Sequence, residues 1–294
     1  MSFFVEPFDH EFMRRALLAC VMIGFTNGFL GAYVVLRRMA LIADALSHSL
    51  LPGLAVAAIF VGLNPAGLLI GGLVATLMVA LGGHFLSGAS RLKEDTTIAC
   101  LYITAFAVGI ALMKFARVPV SLDHFLFGNI LGLADSDLWI CYGVGGCVIF
   151  LLTLFARPLQ LALFEASVAR SQGVPVGVIM AGLVALVVLA MLASLQAVGV
   201  LLSLGLMVLP AATVYLISDN YGRLPWMGGV LGAAGAAVGL LVSYQTDIPS
   251  GPAIVMTLGV VFLLACLLSP RYGILNRRFR KSHFHEESLK RWKP

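Results

Sequence analysis

Charged side chains are scarce in this 294-residue chain. Only 11% of the residues are Asp, Glu, Lys or Arg, while 60% are hydrophobic and the mean hydropathy is +1.00. Soluble domains carry about 25% charged residues, so the composition excludes an ordinary globular protein of the cytosol. Charge is absent altogether from residues 171–218, 224–246 and 248–270. Because a membrane span needs roughly 20 apolar residues, these three stretches alone can hold four spans.

Catalytic and nucleotide-binding motifs are also missing. No Lys follows a Gly anywhere, which excludes a P-loop for ATP, and there is no H-E-x-x-H or G-x-S-x-G. The five cysteines form no C-x-x-C pair, and each lies in or beside an apolar stretch. That placement is typical of small buried hydrophobes and not of disulfides or zinc sites. We therefore predict that the chain is not an enzyme.

Apolar stretches of span length recur along the whole chain and predict an all-α fold, a polytopic transmembrane helical bundle. We count eight or nine spans, at 13–36, 45–62, 66–87, 97–116, 136–156, 177–195, 197–217, 225–245 and 251–269. Residues 118–134 are too polar at their start and too short to span, which favours an interfacial or re-entrant stretch. The chain divides into an N-terminal segment (1–12), a transmembrane domain (13–270) and a basic tail (271–294).

The formal net charge of +5 is concentrated in the basic tail. Positive charge beside a terminal span marks the cytoplasmic side of a membrane, so the charge indicates topology and lipid headgroup contact, with no nucleic-acid partner. Counting spans back from Arg271 also places residues 157–176 in the cytoplasm and Asp247 outside. We predict a multi-pass protein of the cell (inner) membrane.

Asp44 and His48 are the most informative polar residues. Asp44 is the only formal charge between Arg38 and Arg91. A spacing of four residues puts the carboxylate and the imidazole on the same face of a helix, one turn apart. An ionisable side chain within a membrane span is costly and is retained mainly where it faces a pathway or a partner. Oxygen plus nitrogen is a ligand set that suits divalent transition metals.

Two interpretations of the Asp44/His48 pair stay open. The pair could form a buried hydrogen bond that joins two helices, or it could bind a metal ion in transit. Two ligands are too few for a structural zinc site, which normally has four. An ion in transit must also leave, so a sparse site suits a metal path through the membrane.

Two further segments carry candidate roles. In the predicted cytoplasmic loop 164–175, a short amphipathic segment contains Glu165 and Ala169 and is closed by Gly173, a typical helix stop. It is either a connector or a docking element for a partner. Asp247 lies in the outer turn between the last two spans, where turn chemistry alone explains an Asp, and it is also a candidate for the mouth of a pathway.

Taken in order, several short motifs resemble those of one transporter family. The motifs are 31–41 leading into 44–48, Lys93-Glu94-Asp95-Thr96, Phe125-Leu126-Phe127-Gly128, the loop 164–175, 196–202 ahead of Pro210-Ala211-Ala212, and Asp247-Ile248-Pro249-Ser250-Gly251-Pro252. Together they resemble the permease subunits of ATP-binding-cassette importers for zinc, manganese and iron. The likeness extends from about residue 13 to about residue 270.

The resemblance implies specific partners and roles. A pair of cytoplasmic ATP-binding subunits would hydrolyse ATP, an extracytoplasmic metal-binding protein would deliver the ion, and a second permease subunit would complete a homodimer. Asp44 and His48 match the family's metal-binding positions in the pathway. Glu165, Ala169 and Gly173 match the coupling helix, although the family's Asp-Pro before the Glu is replaced here. No permanently bound cofactor is implied.

The residues alone leave open an alternative class of transporter, and they do not identify the metal. An ion-coupled secondary transporter could use Asp44 as a relay, although such proteins often contain inverted repeats, and no convincing repeat is visible. Carboxylate plus imidazole suits zinc, manganese and iron alike, so the sequence does not select among them.

Overall fold

A computed structural model describes residues 11–62, 64–116, 130–132, 135–269, 273 and 275. Three predicted segments lie largely outside this described part of the chain. They are the N-terminal segment 1–12, the re-entrant stretch 118–134 and the basic tail 271–294. Of the stretch 118–134, the described residues include a single turn of 3-10 helix, Ile130–Gly132.

The described residues form α-helices and the one 3-10 turn, without any strand, which confirms the predicted all-α bundle. The helices are α1 (Glu11–Leu36), α2 (Ala40–His48), α3 (Leu50–Val61), α4 (Pro65–Ala89), α5 (Glu94–Ala116), α6 (Asp135–Leu154), α7 (Ala156–Phe164), α8 (Ala166–Ser171), α9 (Val176–Ile217), α10 (Leu224–Thr246) and α11 (Ser250–Leu268).

Within the described residues, nine helical segments are long and apolar enough to cross a membrane. They coincide with the nine stretches predicted from the sequence, so the described residues agree with the upper of the two expected counts. In two places the candidate spans and the helices do not correspond one to one. Helices α2 and α3 together make one span, Ala40–Val61, and α9 contains two, Val176–Leu195 (α9a) and Ala197–Ile217 (α9b).

Helix α9 is broken at Gly199. This residue has φ +78° and ψ 170°, a backbone conformation that a side chain with a Cβ adopts only at a cost. The break frees backbone hydrogen-bonding groups inside an apolar bundle, where water is not available to pair with them. Irregular backbone at this depth is tolerated where it is buried in protein, and the flanking residues Ala197, Val198 and Val200 are indeed buried.

A buried polar cluster joins the two halves of α9 to α1. The Oγ atoms of Ser194 and Ser203, on opposite sides of the break, lie 2.5 Å apart. The Asn27 side-chain amide of α1 donates to the backbone carbonyl of Ser203 at 3.3 Å. All three side chains are buried. These bonds satisfy polar groups that hydrocarbon would leave unpaired, and they fix α9a, α9b and α1 relative to one another.

Helices α1 and α10 pack backbone to backbone through two pairs of glycines. A Cβ added at Gly28 would lie 2.3 Å from the Gly228 carbonyl oxygen, and one at Gly232 would lie 2.2 Å from that of Gly24. Gly24 and Gly28 are four residues apart on α1, as are Gly228 and Gly232 on α10, so the two glycines of each helix lie on one face of it. Lipid gives little hydrophobic drive for helix association, so small residues that allow such close van der Waals contact are what hold the helices together.

The described helices form two groups, which are joined through α2. In the first group, α10 and α11 pack on each other and on α9, and α1 packs on α9 and α10. Helices α3, α4 and α5 pack on one another. Between these groups, α2 contacts both α5 and α9. The short α2, which carries Asp44 and His48, therefore lies where the two groups adjoin.

We expect Gly28→Ala to destabilise the α1–α10 contact, because the added methyl would overlap a backbone carbonyl that cannot rotate away. The expected loss is about 1–3 kcal/mol, typical of overpacking. Thermal unfolding of the protein in detergent micelles measures it. Gly146→Ala is the matched control, since a Cβ there meets nothing within 4 Å. Equal unfolding temperatures for both variants would contradict the close packing.

Candidate metal pathway site

A tight turn after α1 fixes the direction in which α2 sets out. The Arg38 backbone has φ 59°, and the backbone N–H groups of Arg38 and Met39 donate to the carbonyls of Val35 and Val34. This is a Schellman motif, in which the left-handed residue is usually glycine. An arginine here accepts a strain of about 1–2 kcal/mol, and α2 begins directly afterwards at Ala40.

The end of α2 has an equally local cause. Pro52 has no N–H to donate to the carbonyl of His48, four residues earlier, and its ring would clash with that carbonyl in a regular helix. The helix is accordingly interrupted at Ser49, whose Oγ donates to the Leu46 carbonyl at 2.7 Å. His48 is thus the last residue of α2 and lies at a break within a span.

Asp44 and His48 do lie side by side on one face of α2. Asp44 Oδ1 and His48 Nε2 are 3.7 Å apart, beyond hydrogen-bonding distance. Two ligands of one ion, with bonds of about 2.1 Å at 90–110°, are roughly 3.0–3.5 Å apart. The observed separation exceeds that range by a few tenths of an ångström, so a small side-chain movement would bring both atoms onto one ion.

The pair is only partly covered by the rest of the chain. The Asp44 side chain is 43% exposed and that of His48 is 30% exposed, whereas Ala45 and Leu46 on the same helix are buried. At 1.5 Å per residue, His48 lies about 4 Å from the middle of the span Ala40–Val61. The imidazole therefore lies near the middle of this candidate span.

Two aromatic side chains of α5 flank the imidazole. Tyr102 stacks on the His48 ring with centroids 6.3 Å apart and an interplanar angle of 27°. Phe106 contacts the same ring edge-to-face, at 5.6 Å and 84°. Neither residue belongs to a motif that is recognisable in the sequence. Their spacing of four predicts a shared face of α5, but nothing in the sequence says that this face meets α2.

The predicted docking loop contains a helix of one and a half turns. Glu165 precedes α8, and its carbonyl accepts the N–H of Ala169, which is fully buried. Gly173, at φ +78°, closes the helix with a Schellman motif, in which the N–H of Gly173 bonds to Arg170 and that of Val174 bonds to Ala169. The predicted helix stop at Gly173 is therefore present, while the docking role of the loop stays a prediction.

Asp247 is exposed in the turn between α10 and α11, with φ 53°. Asp tolerates this left-handed conformation better than most residues, so the turn accounts for it. The Ser243 hydroxyl donates to the Ile248 carbonyl at 2.7 Å and ties the turn to α10. The role of Asp247 at the mouth of a pathway stays a prediction.

Within the described ranges, no group of three or more His, Cys, Asp or Glu side chains could together hold a metal ion. One second histidine–carboxylate pair does occur there. His84 Nδ1 lies 3.1 Å from Glu94 Oε1, between the end of α4 and the start of α5, and both side chains are largely exposed. The pair is ten residues apart across a turn, which is why helical spacing does not reveal it. The five cysteines are all free.

A multi-pass helical bundle with a carboxylate–imidazole pair inside a candidate span is typical of a membrane transport component. Comparison with known proteins gives the family. The ABC 3 transport family matches residues 9–269, so the chain belongs to that family. The resemblance found in the sequence motifs is thereby confirmed.

Individual relatives cover almost the whole chain. The manganese transport system membrane protein MntC of Halalkalibacterium halodurans is 36% identical over 287 residues, which cover 97% of each chain. A Haemophilus influenzae protein named "Probable iron transport system membrane protein" is 34% identical and covers 94% of this chain and 97% of its own. A solved structure, PsaBC from Streptococcus pneumoniae in complex with Fab, has a TM-score of 0.83 at 31% identity, over 94% of this chain and 98% of the other.

We expect Gly109→Ala to disturb the site, because Gly109 lies on the same face of α5 as Tyr102 and Phe106. A Cβ at Gly109 would lie 2.7 Å from the Pro52 nitrogen and 3.0 Å from the Leu51 carbonyl carbon. Because those are backbone atoms, α5 would have to move, at about 1–3 kcal/mol. Thermal unfolding in detergent checks this. Gly88→Ala is the control, since its Cβ meets nothing within 4 Å, and a variant as stable as this control would refute the contact.

Proposed function

We propose that this chain is the membrane permease subunit of an ATP-driven importer of divalent transition metal ions, with Asp44 and His48 as ligands on the translocation path. The observation that carries the proposal is the O/N pair, 3.7 Å apart near the middle of a span. Family membership supports an importer energised by a separate ATP-binding chain, over the alternative of an ion-coupled secondary transporter.

The exposure of the pair supports a second permease subunit. A carboxylate that is 43% exposed within a span would be expensive to leave against lipid, so another protein surface or a water-filled path must adjoin it. A second copy of the chain, related by a two-fold axis, would bring a second Asp44/His48 pair towards the first. Four ligands would then surround one ion, although each subunit supplies only two.

Coupling to ATP is assigned to the loop around α8. The short helix formed by 166–171 lies between the two predicted cytoplasmic ends of α7 and α9, and Ala169 anchors it to the protein interior. A pair of cytoplasmic ATP-binding subunits that close on ATP would draw the two α8 loops of a dimer together. That movement would alternate the access of the site between outside and inside, with hydrolysis confined to the partner chains.

On the outer side, we propose that an extracytoplasmic metal-binding protein delivers the ion to the membrane subunit. Asp247 is a candidate contact at the outer mouth because it is exposed in the turn between α10 and α11. The whole assembly would lie in the cell (inner) membrane. The transported ion is cargo, and we assign no permanently bound cofactor.

For the ion itself, we propose manganese first, with iron next and zinc third. The ligand types do not discriminate, because carboxylate and imidazole bind all three. The order follows the two relatives described above. The relative named for manganese transport is 36% identical, the one named for iron transport is 34% identical, and neither is named for zinc.

The test replaces Asp44 or His48 with Ala in cells whose own copy is deleted, and measures manganese, iron and zinc accumulation element by element. We expect each variant to lower manganese accumulation on the order of tenfold or more, because removal of one of the two ligands in each subunit weakens binding strongly. Glu11→Gln, at the exposed first residue of α1, serves as a control for loss of an exposed carboxylate, and protein amounts in the membrane fraction are matched.

Wild-type accumulation of all three metals in both variants would remove the pair from the path. A selective fall in zinc would keep the path but overturn the proposed order of metals.

A separate prediction concerns the loop around α8. Gly173→Val forces a β-branched residue into φ +78°, at a cost of about 1–2 kcal/mol or more. The variant should therefore retain less of the ATP-binding subunit when the complex is purified. Gly177→Ala, where a Cβ meets nothing within 4 Å, is the control. Undiminished retention by Gly173→Val would argue that the loop is only a connector.

A further inference from the structure

We propose that Tyr102 and Phe106 of α5 are positioning residues for the metal ligand His48, and thereby determine how tightly the path binds its ion. The inference rests on the proposed function of the Asp44/His48 pair. It concerns α5, a helix that contributes neither proposed ligand. The observation behind it is that both rings contact the same imidazole from different directions.

The two contacts are complementary. Tyr102 lies nearly parallel to the imidazole, with an interplanar angle of 27°, while Phe106 presents its ring at 84°. A parallel neighbour limits tilting of the imidazole plane, and a perpendicular neighbour limits sliding and rotation within that plane. Both separations fall within the 4.5–7 Å range over which aromatic pairs attract each other.

The α5 backbone is held in register with α2 and α3 at more than one level. Ile98 of α5 belongs to the same buried hydrophobic cluster as Ala45 and Leu46 of α2. Gly109 abuts the backbone at Leu51 and Pro52, just beyond the break after His48. Tyr102, Phe106 and Gly109, at spacings of four and three, lie on one face of α5. The rings therefore occupy fixed places relative to the break, and are not free surface side chains.

The positioning matters because of where Nε2 must point. In the observed rotamer, Nε2 is 3.7 Å from Asp44 Oδ1, close to the separation required of two ligands on one ion. An imidazole that is 30% exposed and lies beside a helix break would otherwise have room for other rotamers. Restricting it to the ion-ready rotamer lowers the entropic cost of binding, which raises affinity without adding a ligand.

The experiment uses the full importer in membrane vesicles and measures initial uptake of Mn²⁺ over a range of concentrations. Tyr102→Leu and Phe106→Leu should each raise the half-saturating Mn²⁺ concentration about 3- to 10-fold, the effect expected of one aromatic contact. The maximal rate should change less than about twofold, because the path itself is intact. Tyr102→Phe keeps the stacked ring and should remain within about twofold of the wild type in both quantities.

Ile103→Ala, at an exposed position of the same helix, controls for general damage to α5. Equilibrium binding of Mn²⁺ to the purified complex adds a second readout that does not depend on turnover. In that assay, Tyr102→Leu should weaken binding when His48 is present and should have no further effect when His48 is replaced by Ala.

Three results would overturn the inference. These are an unchanged half-saturating concentration in Tyr102→Leu, a lower maximal rate alone, or a Tyr102→Phe variant as impaired as Tyr102→Leu, which would assign the role to the hydroxyl. Failure of the proposed function is recognised separately, because His48→Ala would then take up and bind Mn²⁺ as the wild type does. Impaired His48→Ala with normal Tyr102→Leu refutes only the positioning role.

Discussion

In the hydrocarbon interior of a bilayer, each backbone N–H and C=O must find its hydrogen-bond partner within the protein. This constraint explains why the described part of the chain is built from helices. It also explains why hydrogen bonds and close packing accompany each interruption of a span. The break at Gly199 is buried and flanked by the bonds among Asn27, Ser194 and Ser203. The break at Ser49 is closed by the hydroxyl bond to Leu46 and by the close approach of α5 at Gly109.

These two interruptions also place the candidate site. Pro52 ends α2 directly after His48, so the imidazole lies where the span changes from α2 to α3. Helix α2, which carries the partly exposed Asp44/His48 pair, contacts both α5 and α9 and therefore lies at the boundary between the two groups of helices. A ligand at such a boundary can gain or lose neighbours as the groups move. That is the physical requirement for a binding site that must alternate between two sides.

Much of the fold and one part of the site could be predicted from the sequence. The nine spans follow from length and hydropathy, and the helix stop at Gly173 follows from its residue type. The Asp44/His48 face follows from a spacing of four. The aromatic contacts on His48 could not be predicted, because Tyr102 and Phe106 are more than 50 residues away and helical periodicity is silent about which helix a face meets. The His84–Glu94 pair could not be predicted either, because it joins two helices across a turn and helical spacing does not reveal such a contact.

The sequence by itself determined that this chain spans a membrane repeatedly, that it contains no motif for hydrolysing ATP, and which carboxylate and imidazole share a helix face. Those properties depend on composition and on local geometry, where neighbours along the chain decide the energy. Only the tertiary structure decided that Tyr102 and Phe106 of α5 contact the imidazole and that Gly24 and Gly28 meet Gly228 and Gly232. Those contacts join distant segments, whose pairing depends on how all the helices pack together at once.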